Sequence, residues 1–460
     1  MNRSQRTFIN QLFALILPTL AVAQAAAAEP VLLESAAAPG QIVHVDSLLE
    51  VGGDLKVTEQ GKIKPLKMSV VGKMTYDEKC LAIDQDKNHF QSVRSYQVAE
   101  ATIKIEKGSA QRKLRDTRRL IGANAANADV QLFSPRGPLT RDELDLIEIP
   151  ANTLLLDQLL PKKAVAAGDR WQHPDDLLAM LLGLDAVSQS DVYSELKEVD
   201  GSAARMEIEG HVEGAIGGVS TELKIKGRYK FHREHKRITW FAILVEEKRS
   251  IGHVGPGADV VAKLQLTVHP VATEPSELSS ESLQGLVLDA KPEQLVLEYE
   301  AQSHGFTFLH DRRWYPTLEK GDHLAMRLVD RGELIAQCNV SELAKSEPGQ
   351  GLSLTKFQSD IETALTKTFQ RFVQASEGTT STGNKIYRVI AEGTVSELPI
   401  QWNYYLVSNA DGRQAVFAFT LEGSLAPQLG ESDQEVVRSL SFEDPPLKTA
   451  SQPTIATPKK

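Results

Sequence analysis

The chain has 460 residues, with 51 Lys and Arg against 61 Asp and Glu and a formal charge of −10. That length accommodates two or three domains with real cores. The acidic balance argues against a nucleic-acid partner, which needs a basic face.

Taken from the N-terminus, Arg3 and Arg6 precede an apolar run over 8–22 and a small-residue tract over 23–28. This order is that of a secretory signal, with cleavage expected after Ala25 or Ala28 and a periplasmic or secreted product. No later stretch is apolar enough to predict a membrane span. Residues 29–41 are expected to be mobile once the signal is removed.

A strand is predicted at 42–49 and a long one at 63–76, where Met68, Val70, Gly72, Met74 and Tyr76 share one parity. The same pattern recurs 155 residues on as Leu223, Ile225, Gly227, Tyr229 and Phe231, again with a basic residue after the glycine (Lys73, Arg228). Two related β-modules are expected over 42–269, each with a long strand bent at an inward glycine. A return strand at 90–105 is followed by Arg112, Lys113, Arg115, Arg118 and Arg119. This basic run has two readings, a patch for anionic polymer or headgroups and a charged, solvated edge.

A helical insert over 140–184 is predicted between the modules. Thr140 and Glu143 form a capping box, Leu144 and Ile147 give a short stripe, and Leu177, Leu178, Leu181 and Leu182 give a further helix after Pro174. Asp200-Gly201 predicts a hairpin in the second module. Residues 270–294, rich in Pro, Ser and Glu, are expected to be a linker. The final domain, 295–443, should hold paired strands, a long helix over 354–373 and three strands bearing Trp402, Tyr404 and Tyr405. A capped helix from Ser432 follows, and the tail 444–460 is Pro-, Thr- and Lys-rich.

Three resemblances attach to these residues. Pro161, Val165, Gly168, Asp169 and Trp171, as Pro-x3-Val-x2-Gly-Asp-x-Trp, resemble a segment of uncharacterised secreted bacterial β-rich proteins. The order of elements over 295–443, ending on Ser439-Leu-Ser-Phe442, resembles the PsbP-like α/β sandwich, which implies an accessory role without catalysis. Two bent strands under an apolar insert resemble the lipoprotein-carrier (LolA-like) half-barrel. That implies an apolar cavity walled by Met68, Val70, Met74, Leu223, Ile225 and Tyr229; the other reading is that Leu177, Leu178, Leu181 and Leu182 fill the concavity as core.

The fold class expected is therefore α+β: duplicated curved antiparallel modules with a helical insert, then an α/β sandwich. No nucleophile elbow, phosphate loop or zinc spacing occurs. No catalytic residue, cofactor or metal is assigned. His232 and His235, and the scattered His304, His310 and His323, read as loop histidines. Trp402, Tyr404, Tyr405, Phe417 and Phe419 read as core, with ligand stacking as the other possibility. Cys80 and Cys338 fall in different domains and are expected as separate thiols. The expected function is an exported, non-catalytic envelope protein that binds a protein, lipid or envelope polymer. The alternative is an envelope-polymer hydrolase with its site between the domains.

Overall fold

A computed structural model describes residues 30–442 apart from 85–88, 127–128, 301–304, 321–322 and 348–350. The expected signal at 1–28, the tail at 444–460 and His304 lie outside the described residues.

The α+β expectation is corrected by the element content. Among the described residues strands take 58% and helices 16%, in large antiparallel sheets, so the fold is β-rich. One reason is visible at the predicted 354–373 helix. The helix Leu354–Leu365 stops at Thr366, whose φ is +50°, and the chain resumes as the strand Phe369–Thr379. Its start is capped by Ser353, whose hydroxyl accepts from the Lys356 amide. The insert itself is only partly helical. Arg141–Ile147, Thr153–Leu156 and Asp175–Leu182 alternate with the short strands Ala164–Val165 and Arg170–Gln172.

Among the described residues the first sheet has 13 strands, two of which lie off its main path, Gly108–Lys113 paired with His89–Ile105 and Ala186–Ser190 paired with Ala203–Ile216. From one edge it runs Asp129–Phe133, Leu120–Ala126, His89–Ile105, Lys62–Asp84 and Ile42–Glu59. It continues through Gly257–Pro270, Arg237–Arg249, Val219–His232, Ala203–Ile216 and Tyr193–Val199 to Arg170–Gln172. The long pairing of Ile42–Glu59 with Gly257–Pro270 joins the two halves, with Leu49 opposite Leu264 and Val45 opposite Val268. One face is apolar because alternate residues of each strand point the same way. Met74, Tyr76, Leu223, Ile225, Tyr229, Phe241 and Leu264 share a core there with the insert residues Leu155, Leu159, Leu178 and Leu181.

The two glycines highlighted by the alternation differ. A β-carbon on Gly227 would fall 2.6 Å from the Ala242 carbonyl oxygen, so close approach of backbone demands glycine there. One on Gly72 would meet Leu49 and Ala101 at ordinary contact distances of 3.8 and 3.9 Å.

Residues 31–41 pack rather than hang free. Val31–Leu32 pairs with Ala164–Val165, Leu33 is fully buried, and the Ser35 hydroxyl donates to Asp157 at 2.5 Å. The 270–294 segment also lies against the sheet, with Leu278, Leu283, Leu286 and Leu288 clustered on Ile42, Val93 and Leu120.

The second large sheet has seven antiparallel strands. The order is Trp314–Lys320, His323–Asp330, Glu333–Leu343, Gln414–Glu422, Leu398–Ser408, Lys385–Val395 and Phe369–Thr379. Phe357, Ile361 and Leu365 cover one face against Val389, Trp402 and Leu406. The short helices Ala426–Leu429 and Ser432–Arg438 cover the other, with Val436 and Val437 in the core of Tyr405, Phe417 and Phe419. The aromatic strand therefore supplies both cores by parity. Ser432 is not a cap; its hydroxyl accepts from the Trp314 indole N–H at 2.8 Å.

Candidate functional site

The residues proposed as cavity walls divide by position along their strands. Met74, Leu223, Ile225 and Tyr229 are buried in the core with Leu177, Leu178, Leu181 and Leu182. Val70 is half-buried at the margin of that core, and Met68 is half-buried further along the same strand.

The basic run is largely engaged within the molecule. Arg112 pairs with Asp142 at 2.9 Å, and Arg119 pairs with Asp116 at 2.7 Å. Arg118 donates to the Pro138 carbonyl at 2.9 Å, and Lys113 is exposed. Arg115 is the hub. It holds Glu143 through Nε and Nη2 at 2.7 Å each, and reaches Glu298 at 3.0 Å and Glu300 at 2.7 Å. Burial opposes ionisation of Glu143, but Arg115 and the backbone N–H groups of Thr140 and Arg115 outweigh it and hold the carboxyl below its ordinary range. Glu143 closes the capping box at the same time: its carboxylate accepts from Thr140 N, and Thr140 Oγ1 accepts from Glu143 N.

Under the insert sits a buried polar cluster that alternation alone did not reveal. Glu78 accepts from Arg94 Nε at 2.7 Å, Ser92 Oγ at 2.7 Å and Thr153 Oγ1 at 2.6 Å. Burial pushes the Glu78 carboxyl up, but these donors overcome it and keep it ionised. The sequence signal was Glu78 on the inward parity of an apolar strand. Beside it a cavity of about 60 Å³ is lined by Ser35, Cys80, Asp157 and Arg237, room for water rather than for a ligand. Burial raises Asp157 and pushes the Cys80 thiol up to about 11. Cys80 and Cys338 are both free.

A cleft of about 790 Å³ lies where the first sheet and its insert meet the second sheet. The capping box starts the helix Arg141–Ile147 in the direction that presents Arg141, Asp145 and Glu148 to it. Arg141 Nη2 donates to the Arg312 carbonyl, and its guanidinium stacks 4.5 Å from the Tyr315 ring centroid. Arg312 donates to the carbonyls of Leu295 at 2.9 Å and Leu132 at 2.5 Å. The hairpin turns around Gly217 and the 250–256 loop form the opposite wall, with Glu247 and Arg249 3.3 Å apart. Asp145 keeps 62% of its side chain accessible, yet the cleft walls crowd it. That partial desolvation raises it to about 6, with Arg141 opposing and Asp142 reinforcing. Desolvation likewise raises Glu148, against the pull of Arg312. Among the described residues that line this cleft there is no histidine or cysteine.

Among the described residues the histidines do not converge on a carboxylate in a pocket. His232 and His235 stack at 4.2 Å in their turn. His310 is buried, with Nδ1 on the Asp311 carbonyl at 2.8 Å, and His323 bonds Ser341. His44 meets Asp77 at 2.7 Å, half-buried in the first sheet. His173, missed in the sequence reading, is buried against Ser194 at 2.8 Å with its pKa lowered to about 4 by burial. Among the described residues no group of three or more His, Cys, Asp and Glu is placed to hold a metal, and no helix is long and apolar enough to cross a membrane.

No family model matches the chain, and no curated protein matches it. Among solved structures it is similar to cyanobacterial PsbP from Synechocystis sp. PCC 6803, at 16% identity and a TM-score of 0.25, over 32% of this chain and 92% of that one. It is also similar to the translocator domain of the autotransporter NalP from Neisseria meningitidis, at 6% identity and a TM-score of 0.13, over 84% and 89% of the two chains. OmpF from Salmonella typhi, in complex with daunomycin, matches at 7% identity and a TM-score of 0.13, over 84% and 98%.

Proposed function

We propose that this chain is an exported, non-catalytic protein of the cell envelope that holds a segment of another protein in the cleft between its two large sheets. The observation that carries the reading is the lining of that cleft. Arg141, Asp145, Glu148 and Arg249 alternate with Ile216, Val254, Pro256 and Tyr315, a mixture suited to a polypeptide's charged and apolar groups. A lipid is a poorer fit, since the insert leucines already occupy the apolar face of the first sheet. Export rests on the basic, apolar and small-residue order of 1–28.

The test is photo-crosslinking in the host envelope. A benzophenone side chain at Ile216 or Val254, in the cleft, should give a discrete protein adduct, and one at Lys226, on the exposed face of its strand, should not. No cleft adduct, or equal adducts from Lys226, would overturn the reading. N-terminal sequencing should find a mature chain starting at 26–29; an intact Met1 in the envelope fraction would overturn export.

A polymer hydrolase is the second reading, favoured by the raised pKa of Asp145, which suits a general acid. Its weakness is geometric. Glu148 follows Asp145 by three residues and stands beside it, whereas a carboxylate pair for glycoside cleavage must flank the bond. Asp145→Asn should leave release of envelope-polymer fragments unchanged; a loss of release would favour the hydrolase.

A further inference from the structure

Apart from that cleft, the second sheet carries a groove of about 430 Å³ between its edge strand Phe369–Thr379 and the helix Ser432–Arg438. Ile386, Arg388 and Tyr405 form its floor, and Gln374, Ser376, Gln434 and Arg438 its sides. The position arises because that helix covers only the middle of the sheet on this face, which leaves the last two strands open.

Arg388 is held in one orientation by neutral acceptors. Its Nε donates to the Tyr405 hydroxyl at 2.9 Å and its Nη1 to Gln374 Oε1 at 3.1 Å. Tyr405 cannot turn away, since it is buried and its hydroxyl donates to the fully buried Asp433 at 2.6 Å. Asn403 Nδ2 donates to the same carboxylate oxygen at 2.8 Å, and the Gln434 amide donates to the other at 2.9 Å. A guanidinium has five N–H donors. Two of those on Arg388 are engaged, and among the described residues it makes no ion pair. Arg438 stands on the wall, bonded to Gln434 at 2.8 Å and 4.0 Å from Glu431.

We propose that this groove binds a carboxylate-bearing ligand, with Arg388 as its anchor. A fixed, planar guanidinium with unused donors is suited to a carboxylate. Two arginines and Glu377 line the groove, and the buried Asp433 beneath its floor offsets the remaining positive charge, which disfavours a dianion such as phosphate. The ligand carboxylate can come from a free small acid or from the C-terminus of an extended peptide.

The test is calorimetric titration of the full mature chain with acetyl-trialanine acid, its C-terminal amide, acetate and inorganic phosphate. The acid peptide should bind at least tenfold tighter than the amide. Arg388→Gln should abolish that difference, and Tyr405→Phe, which frees the guanidinium without removing its charge, should reduce it. Competition by acetate assigns the site to small acids, and its absence assigns it to a peptide terminus; either outcome supports the proposal. Acid and amide binding equally, phosphate binding more tightly than the acid peptide, or unchanged binding by Arg388→Gln would overturn it. If Arg388→Gln does not fold, the Arg388 Nε–H resonance of the wild type should shift with the acid and not with the amide; an equal response to both would equally overturn it.

Discussion

Gly218 and Gly332 meet turn to turn, so closely that a β-carbon on Gly218 would fall 2.0 Å from the Gly332 α-carbon. Both have positive φ, +69° and +83°. Each closes a hairpin, one in each large sheet, and the contact forms part of the seam that the cleft follows. Asp185 secures the first turn by accepting from the Gly218 amide at 2.7 Å. Either glycine replaced by valine should therefore separate the turns as well as strain its own backbone. The expected loss is about 2 kcal/mol or more, read as a lowered denaturation midpoint. Gly61→Ala, at a positive-φ turn with open space around it, should cost only about 1 kcal/mol.

The two mid-strand glycines make a paired prediction. Gly72→Ala should stay within roughly 0.5 kcal/mol of wild type, because its β-carbon finds ordinary contacts. Gly227→Ala should lose about 1–3 kcal/mol, since the strand must move away from Ala242. Urea melts of the two variants decide it, and equal effects would remove the distinction.

The buried pair Glu78–Arg94 should be far costlier to break than to replace. Glu78→Gln leaves Arg94 charged in the core and should cost about 3–5 kcal/mol. The double variant Glu78→Leu with Arg94→Met should recover most of that loss. A double variant as unstable as the single would show that the hydrogen bonds to Ser92, Asn152 and Thr153, rather than charge balance, hold the insert in place.

Arg115 ties the first sheet to the insert helix and to the strand Leu297–Glu300. It is partly exposed, so solvent weakens each pair. Arg115→Ala should lower stability by about 2 kcal/mol, mainly through the nearly buried Glu143 left without its partner. Proteolysis near 286–300 should quicken in step. Arg112→Ala, on the exposed pair with Asp142, should change either reading by less than about 1 kcal/mol.

Two buried histidines set a pH response. Burial lowers His173 and His310 to about 4 each, against roughly 6.5 in an unfolded chain. The unfolded state therefore takes protons first as pH falls. The stability these groups contribute is complete above about pH 6.5, declines toward pH 4 and is level below it. The loss is on the order of 3 kcal/mol for each. Asp145 and Asp157, both raised, act in the opposite direction over the acid part of this range. Histidine ring resonances of the folded protein should show both imidazoles still neutral at pH 5; charged rings there would refute the assignment.

Features that depend on neighbours along the chain were legible in the residues alone. Alternating parity marked 63–76 and 219–231 as strands, the first of which runs on to Asp84 in the sheet, and a carboxylate three residues after Thr140 marked the start of a helix. Asp200-Gly201 marked a turn, where Asp200 accepts from the Ser202 and Ala203 amides at 2.9 and 2.7 Å. These features are carried by backbone geometry over a few residues. Tertiary structure decided the rest. The helix after Leu354 ends at Leu365 because the following residues gain more as an edge strand paired with Lys385–Val395. The basic run became a set of internal ties because folding brought Glu298 and Glu300, more than 180 residues away, onto Arg115. The pairing of Ile42–Glu59 with Gly257–Pro270, and the cleft at the seam, rest on contacts equally remote in sequence. Residue type and spacing do not encode such contacts locally; they exist only once two apolar faces have been buried and the polar groups left at their margins must find partners.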